Sequence, residues 1–194
     1  MVGFMKIRLQ FLIFLVVLCG LAMPGFGAVQ MFLQIDGIDG ESLVEGHANQ
    51  IDVVGFAFSI AQRGLTLAGS TGAGASKSDF KTLTIYKDID KATPPLMLAC
   101  ALGKMPTIHP TATLYFVDPL REINTLFFKI VMSDVLITSF NESDSDGSDR
   151  PLESISLSFS KIQFVYTPNQ AGPPSSVSGF DVIANKALLF NNNP

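Results

Sequence analysis

The sequence predicts a mainly β protein, an antiparallel barrel or sandwich carrying one short α-helix. Three observations point there. Short apolar segments are separated by clusters of Gly, Pro, Asn, Asp and Ser; only one segment carries helix signals at both ends; and no strand–helix–strand alternation is present to build a parallel sheet. The 194 residues suit one domain preceded by a leader. Apolar residues make up 47% and charged residues 15%, which excludes an intrinsically disordered chain. The 13 Lys and Arg are outnumbered by 17 Asp and Glu and form no cluster, which argues against nucleic acid as a partner.

Residues 1–27 read as a signal peptide. Lys6 and Arg8 precede an apolar run from Leu9 to Leu18, broken only by Gln10. Pro24 ends the run, and Gly25-Phe26-Gly27 puts small residues at −3 and −1 of a cut before Ala28. The run is shorter than the roughly 20 residues that span a bilayer, so no stable membrane insertion is expected once the leader is removed. Cys19 follows Leu18, where lipid attachment needs a small residue. Removing the leader takes Lys6 and Arg8 and no acid. That leaves 11 basic against 17 acidic residues, a formal charge of −6, and one cysteine, Cys100. Within Leu96 to Leu102 that thiol reads as a small buried hydrophobe. The leader predicts an exported protein, periplasmic or extracellular.

The mature chain, 28–194, reads as one domain. Val29 to Ile35 is a strand, ended by the turn residues Asp36-Gly37-Ile38-Asp39-Gly40. Gln50 to Ile60 is a second strand, with Val54, Phe56, Phe58 and Ile60 sharing a face at period two. Arg63 to Ser78, without period, is a loop, and Phe80 to Tyr86 is a third strand. The helix is Pro94 to Leu102, about 13 Å long. Thr93 is its expected N-cap, two prolines fit its first turn, and Gly103 suits its C-terminal end. It carries no charge from Leu96 to Leu102, whereas a surface helix keeps a polar face. It should therefore be covered on two sides, by its own sheet and by either a neighbouring subunit or the rest of one large core. Leu96, Met97, Leu98 and Leu102 are the candidate packing residues.

Thr111 to Val117 is a fourth strand. Thr125 to Phe140 is longer and is interrupted at Asp134, where a bulge or bend is expected. Asn141 to Pro151 is an acidic turn. Leu152 to Tyr166 alternates Ser with Ile155, Leu157 and Phe159, then shifts phase after Lys161 to Ile162, Phe164 and Tyr166. A one-residue shift flips the buried face unless a bend absorbs it, and such bends curl sheets into barrels. Pro168 to Ser178 is a linker, Gly179 to Ala187 a last edge strand, and the tail to Pro194 is frayed.

Chemistry-bearing motifs are sparse. His47 and His109 are the only histidines, neither sits at a Gly-x-Ser-x-Gly elbow, and both read as solvated loop residues. Asp144-Ser145-Asp146-Gly147-Ser148-Asp149 resembles part of a calcium loop, but position 12 is Ile155 and strands flank it. Asp36, Asp39, Glu41 and Glu45 cluster in a turn without an aromatic platform for a sugar. No cofactor and no metal is expected, and an enzyme built on the loop acids is the weakest of the readings.

The run Met31-Phe32-Leu33-Gln34-Ile35-Asp36-Gly37-Ile38-Asp39-Gly40-Glu41-Ser42, then Gly46-His47 and Gln50 to Val54, resembles the opening of the Hcp family, tube proteins of type VI secretion systems. Asp90 to Met97 running into Gly103-Lys104, Arg150 to Ile162 with Tyr166-Thr167-Pro168, and Gly179 to Ala187 continue the resemblance in order. The resemblance implies an antiparallel barrel of two curved sheets with one short flanking α-helix. It further implies a non-enzymatic subunit that forms hexameric rings, stacked into a tube that works with a spike protein and can carry small effectors. It marks Glu41, Ser42 and His47 as ring-stacking contacts, with turn-shaping as their alternative role. The sequence departs from the family in two ways. Its leader opens the alternative of a secreted monomeric binding module that has lost tube assembly, unless the true start lies near Met31. Phe56, Phe58 and Phe180 stand where the family often has Trp, an apolar exchange that repacks a core.

Overall fold

Two curved antiparallel sheets form because most strands bury one face and expose the other. The structure is a computed structural model and describes residues 28–62, 78–103, 108–119, 125–144, 150–168 and 176–190. The expected leader, the loop 63–77, residues 104–107 and 120–124, the centre of the acidic turn (145–149), the linker 169–175 and the tail 191–194 lie outside the described residues. The strands are β1 (Gln30–Ile35), β2 (Ile51–Val53), β3 (Gly55–Ala57), β4 (Ile60–Gln62), β5 (Ser78–Phe80) and β6 (Leu83–Asp88). After the helix α1 (Thr93–Leu102) come β7 (His109–Asp118), β8 (Thr125–Ser143), β9 (Leu152–Ser158), β10 (Lys161–Tyr166), β11 (Ser176–Asp181) and β12 (Lys186–Ala187).

The first sheet runs β12-β11-β10-β8-β7-β1-β2, and the second runs β3-β6-β9-β8. They share β8, which pairs with β10 through Phe128 to Ser133 and with β9 through Leu136 to Ser143. The change of partner falls at Asp134, whose φ of 52° is the left-handed kink that the interrupted apolar pattern predicts. The partner chain bends at the same height. Ser160, between β9 and β10, donates its backbone N–H to the Ser133 carbonyl at 3.0 Å, and its hydroxyl meets the Asp134 carboxylate. The phase shift near Lys161 is this corner, where the chain passes from the second sheet to the first.

A second corner lies at Val54, between β2 in the first sheet and β3 in the second; its N–H donates to the Tyr86 carbonyl at 2.8 Å. Among the described residues, no continuous ladder of hydrogen bonds closes the two sheets into a barrel. The two sheets are joined instead by strands that change sheet at these corners.

The second corner corrects the reading of Gln50 to Ile60. That stretch is three short strands. Ile51 and Val53 are buried, and Val54, 60% exposed, falls on the opposite parity, so the face shared by Val54, Phe56, Phe58 and Ile60 is mostly the outward one. Phe56 and Ile60 are also exposed, and of the predicted face only Phe58 is half-covered, against Phe159 and Phe164. The core between the sheets is aliphatic: Leu33, Ile51, Leu83, Ile85, Leu114, Ile130, Met132, Ile155, Leu157 and Ile162 are fully buried or nearly so. Leu96 of α1 joins this cluster.

Candidate assembly surfaces

The helix α1 is seated by a buried polar network that pattern reading did not find. Its N-cap is Ala92, not Thr93, and no side chain caps it. The end is satisfied in another way. Thr93 N–H donates to the Asp90 carbonyl at 3.1 Å, Pro94 and Pro95 have no N–H, and Leu96 N–H reaches the Ala92 carbonyl at 3.0 Å. The Thr93 side chain is thereby free for another task. Its hydroxyl donates to Glu153 Oε1 at 2.6 Å and accepts the Asp90 N–H at 3.1 Å.

Glu153 Oε2 lies 2.6 Å from Lys87 Nζ, and both side chains are completely buried. The ammonium also lies 2.7 Å from the Asp88 carbonyl, 2.8 Å from Asp90 Oδ1 and 3.3 Å from Thr93 Oγ1, so its three hydrogens are shared among four acceptors. Asp90 Oδ1 in turn accepts the Ala92 N–H at 2.9 Å. A signal for this network was present in the sequence. Lys87 shares the parity of Leu83 and Ile85 on β6, and Glu153 that of Ile155 and Leu157 on β9. Lys87 and Glu153 are directly opposed in the β6–β9 ladder.

The far end of α1 closes on Gly103, with φ 56° and its N–H on the Ala99 carbonyl at 3.2 Å. Leu96 and Ala99 face the core. Met97, Leu98 and Leu102 lie on the surface, with Leu98 60% exposed, and Cys100 is half-buried.

The second surface is the segment from Asp36 to Gln50. Three backbone hydrogen bonds clip it: Gly40 N–H to Asn49 O at 2.8 Å, Ser42 N–H to Gln50 O at 3.0 Å, and Asn49 N–H to Ser42 O at 2.9 Å. His47 is buried, not solvated. Its ring stacks on Phe32 at 4.4 Å, meets Tyr115 edge-on at 5.4 Å, and brings Nδ1 within 2.9 Å of Gln50 Oε1. Ser42 is buried as well. Glu41 is exposed, 3.8 Å from Arg150, and Leu43 beside it is 96% exposed. His47 and Ser42 therefore hold the loop against the sheet, while Glu41 and Leu43 are the side chains it presents. His109 also departs from a loop role: it opens β7, half-buried, with Nδ1 donating to the Asp36 carbonyl at 2.7 Å. Among the described residues, no three His, Cys, Asp or Glu side chains are grouped to hold a metal ion.

This architecture and these surfaces have relatives. The family model for the type VI secretion system effector Hcp matches residues 32–166. The chain belongs to the Hcp family. It is 36% identical over 144 residues to Protein hcp1 of Pseudomonas aeruginosa, covering 74% of this chain and 86% of that protein. A solved structure of a type six secretion system protein has a TM-score of 0.74 at 26% identity, covering 83% of this chain and 100% of that one. Hcp1 from Salmonella typhimurium has a TM-score of 0.66 at 30% identity, with 84% and 100% covered. The chain is thus a type VI secretion component of the Hcp kind, a structural tube-protein family rather than an enzyme family. Both surfaces described above fall within the matched residues. Among the described residues, no helix is long and apolar enough to cross a membrane.

Proposed function

We propose that this protein is a tube subunit that assembles head-to-tail into hexameric rings, which stack into a tube and can carry small effectors beneath a spike protein. The observation that carries the reading is the outward strip of α1. Met97, Leu98 and Leu102 lie uncovered on a helix whose other side is core. An uncharged strip of this kind on a helix marks an interaction face. A ring needs two different patches that meet, because each contact is heterologous. Exposed Val54 and Phe56 at the second corner offer further apolar surface to such a neighbour. For stacking, Glu41 and Leu43 make the contacts, and Ser42 and His47 act by holding the loop that carries them.

The export route rests on residues 1–27. Cleavage before Ala28 would remove no described strand, since β1 opens at Gln30 and both Ala28 and Val29 are exposed. The protein then assembles outside the cytoplasm. The test is the N-terminal sequence and native mass of the protein recovered from periplasm and medium. The expected result is a start at Ala28 and a mass of about six subunits. A strictly monomeric profile at all concentrations would overturn the ring and leave a secreted binding module. A cytoplasmic protein starting near Met31 would overturn the export route alone.

A further inference from the structure

The helix α1 presents a physical problem that the hydrophobic effect does not solve. From Leu96 to Leu102 its residues are Leu, Met, Leu, Ala, Cys, Ala and Leu. Apolar side chains therefore point in every direction around the axis. Rotating such a helix exchanges one apolar face for another of similar character, so burial alone selects no single rotation. Yet the structure has one arrangement, with Leu96 and Ala99 inward and Met97, Leu98 and Leu102 outward.

We propose that the Lys87–Asp90–Thr93–Glu153 network sets the rotation of α1 about its axis, and so decides which residues form the outward strip. The inference rests on the reading of α1 as an assembly surface. The network has the properties the task needs. It is anchored on two strands, β6 through Lys87 and β9 through Glu153, which are fixed to each other by their ladder. Only one helix residue enters it, Thr93, and its hydroxyl is held from several sides, donating to Glu153 and accepting from the Asp90 N–H and, at 3.3 Å, from Lys87. A side chain held at the first turn by these directional bonds fixes the azimuth of every residue after it, because helical residues follow at fixed angles.

The chemistry is also unusual for a mere core filler. Replacing a buried ion pair by apolar residues of similar volume is often neutral or stabilising, so stability alone gives no reason for these charges. A fully satisfied buried polar network instead restricts the arrangements a core can adopt. Here both Glu153 oxygens, all three ammonium hydrogens and the Thr93 hydroxyl have partners.

Cys100 makes the rotation measurable. It is the one cysteine after residue 27, it lies on α1, and it is half-buried, so its accessibility reports the azimuth. The experiment compares the chain from Ala28 onward with its Lys87→Met/Glu153→Leu variant and with Thr93→Val, which exchanges the hydroxyl for a methyl group of similar size. Urea midpoints, the rate of Cys100 labelling by a thiol reagent at low protein concentration, and self-association by sedimentation are measured. The double variant leaves Asp90, whose side chain is 8% exposed, without its ammonium partner, so its urea midpoint should fall, and labelling and association are compared under conditions where it is folded. Its Cys100 labelling should change by about tenfold or split into two phases, the effect of losing 1.4 kcal/mol of preference for one rotation. Self-association should weaken by at least as much. Thr93→Val should move both readouts the same way and by less.

Single-phase labelling at the parent rate in both variants would overturn the proposal. So would unchanged association in a variant whose labelling has split. A parent protein that never associates would instead remove the assembly reading, and Cys100 labelling would still decide whether the network sets the rotation.

Discussion

Gly40→Ala tests whether the loop from Asp36 to Gln50 is as rigid as its hydrogen bonds imply. A Cβ on Gly40 would lie well inside 3.0 Å of the Gln50 carbonyl group and the Ile51 Cα, closer than real Cβ atoms approach. All three atoms are backbone, so no rotamer change relieves the overlap, and the two arms of the loop must part. The three hydrogen bonds that join those arms are Gly40 to Asn49, Ser42 to Gln50 and Asn49 to Ser42. At about 1 kcal/mol net each, their loss destabilises the domain by about 3 kcal/mol. With a urea m-value of about 2 kcal/mol/M, the midpoint falls by about 1.5 M. Gly37→Ala is the control. Gly37 has φ +83° and open space around its missing Cβ, so only the left-handed backbone penalty of about 1 kcal/mol applies. A Gly40→Ala midpoint within about 0.3 M of the parent, or above that of Gly37→Ala, would refute the reasoning.

Leu98→Glu places a charge on the outward strip of α1. It should change unfolding stability by less than about 0.5 kcal/mol, as surface changes do, while abolishing self-association in gel filtration; retained assembly would remove α1 from the contact. His47→Ala deletes the stack on Phe32, the edge contact with Tyr115 and the Gln50 contact. It should destabilise the domain by about 2 kcal/mol in urea unfolding, and a change near zero would mean the loop is held by its backbone alone.

How much of this molecule was readable beforehand depended on whether the governing contact was local. The kink at Asp134 and the corner near Ser160 were readable, because a broken period is visible within ten residues. The corner at Val54 was not: β2 and β3 are three residues each, too short to display a period before it changes. The reading therefore ran one strand across the corner, and the face it grouped there, Val54, Phe56 and Ile60, is exposed. The helix limits were legible from Pro94 and Gly103. The task of Thr93 was not, because its hydroxyl answers to Glu153, 60 residues away in the chain. A capping rule sees only the residues next to the helix. His47 likewise looked solvated because Phe32 and Tyr115 come to it from two different strands.

The readings of Thr93 and His47 failed for one cause, and it bears on function. In each case a side chain that sequence patterns treat as surface or cap is bound by residues from distant strands. The result is a loop and a helix held in defined positions on the barrel. The two are also tied to one region of the molecule. Glu41 of the loop reaches Arg150, three residues before Glu153, and Lys91 beside the helix reaches Asn49 of the loop at 3.4 Å. A subunit that must meet neighbours on several sides needs its contact elements fixed relative to one another before assembly, since each element left to order on binding subtracts from the affinity. The buried charges near α1 and the aromatic clamp on His47 do that ordering during folding. Their expense in desolvation agrees with the proposed role as one part of a repeating structure.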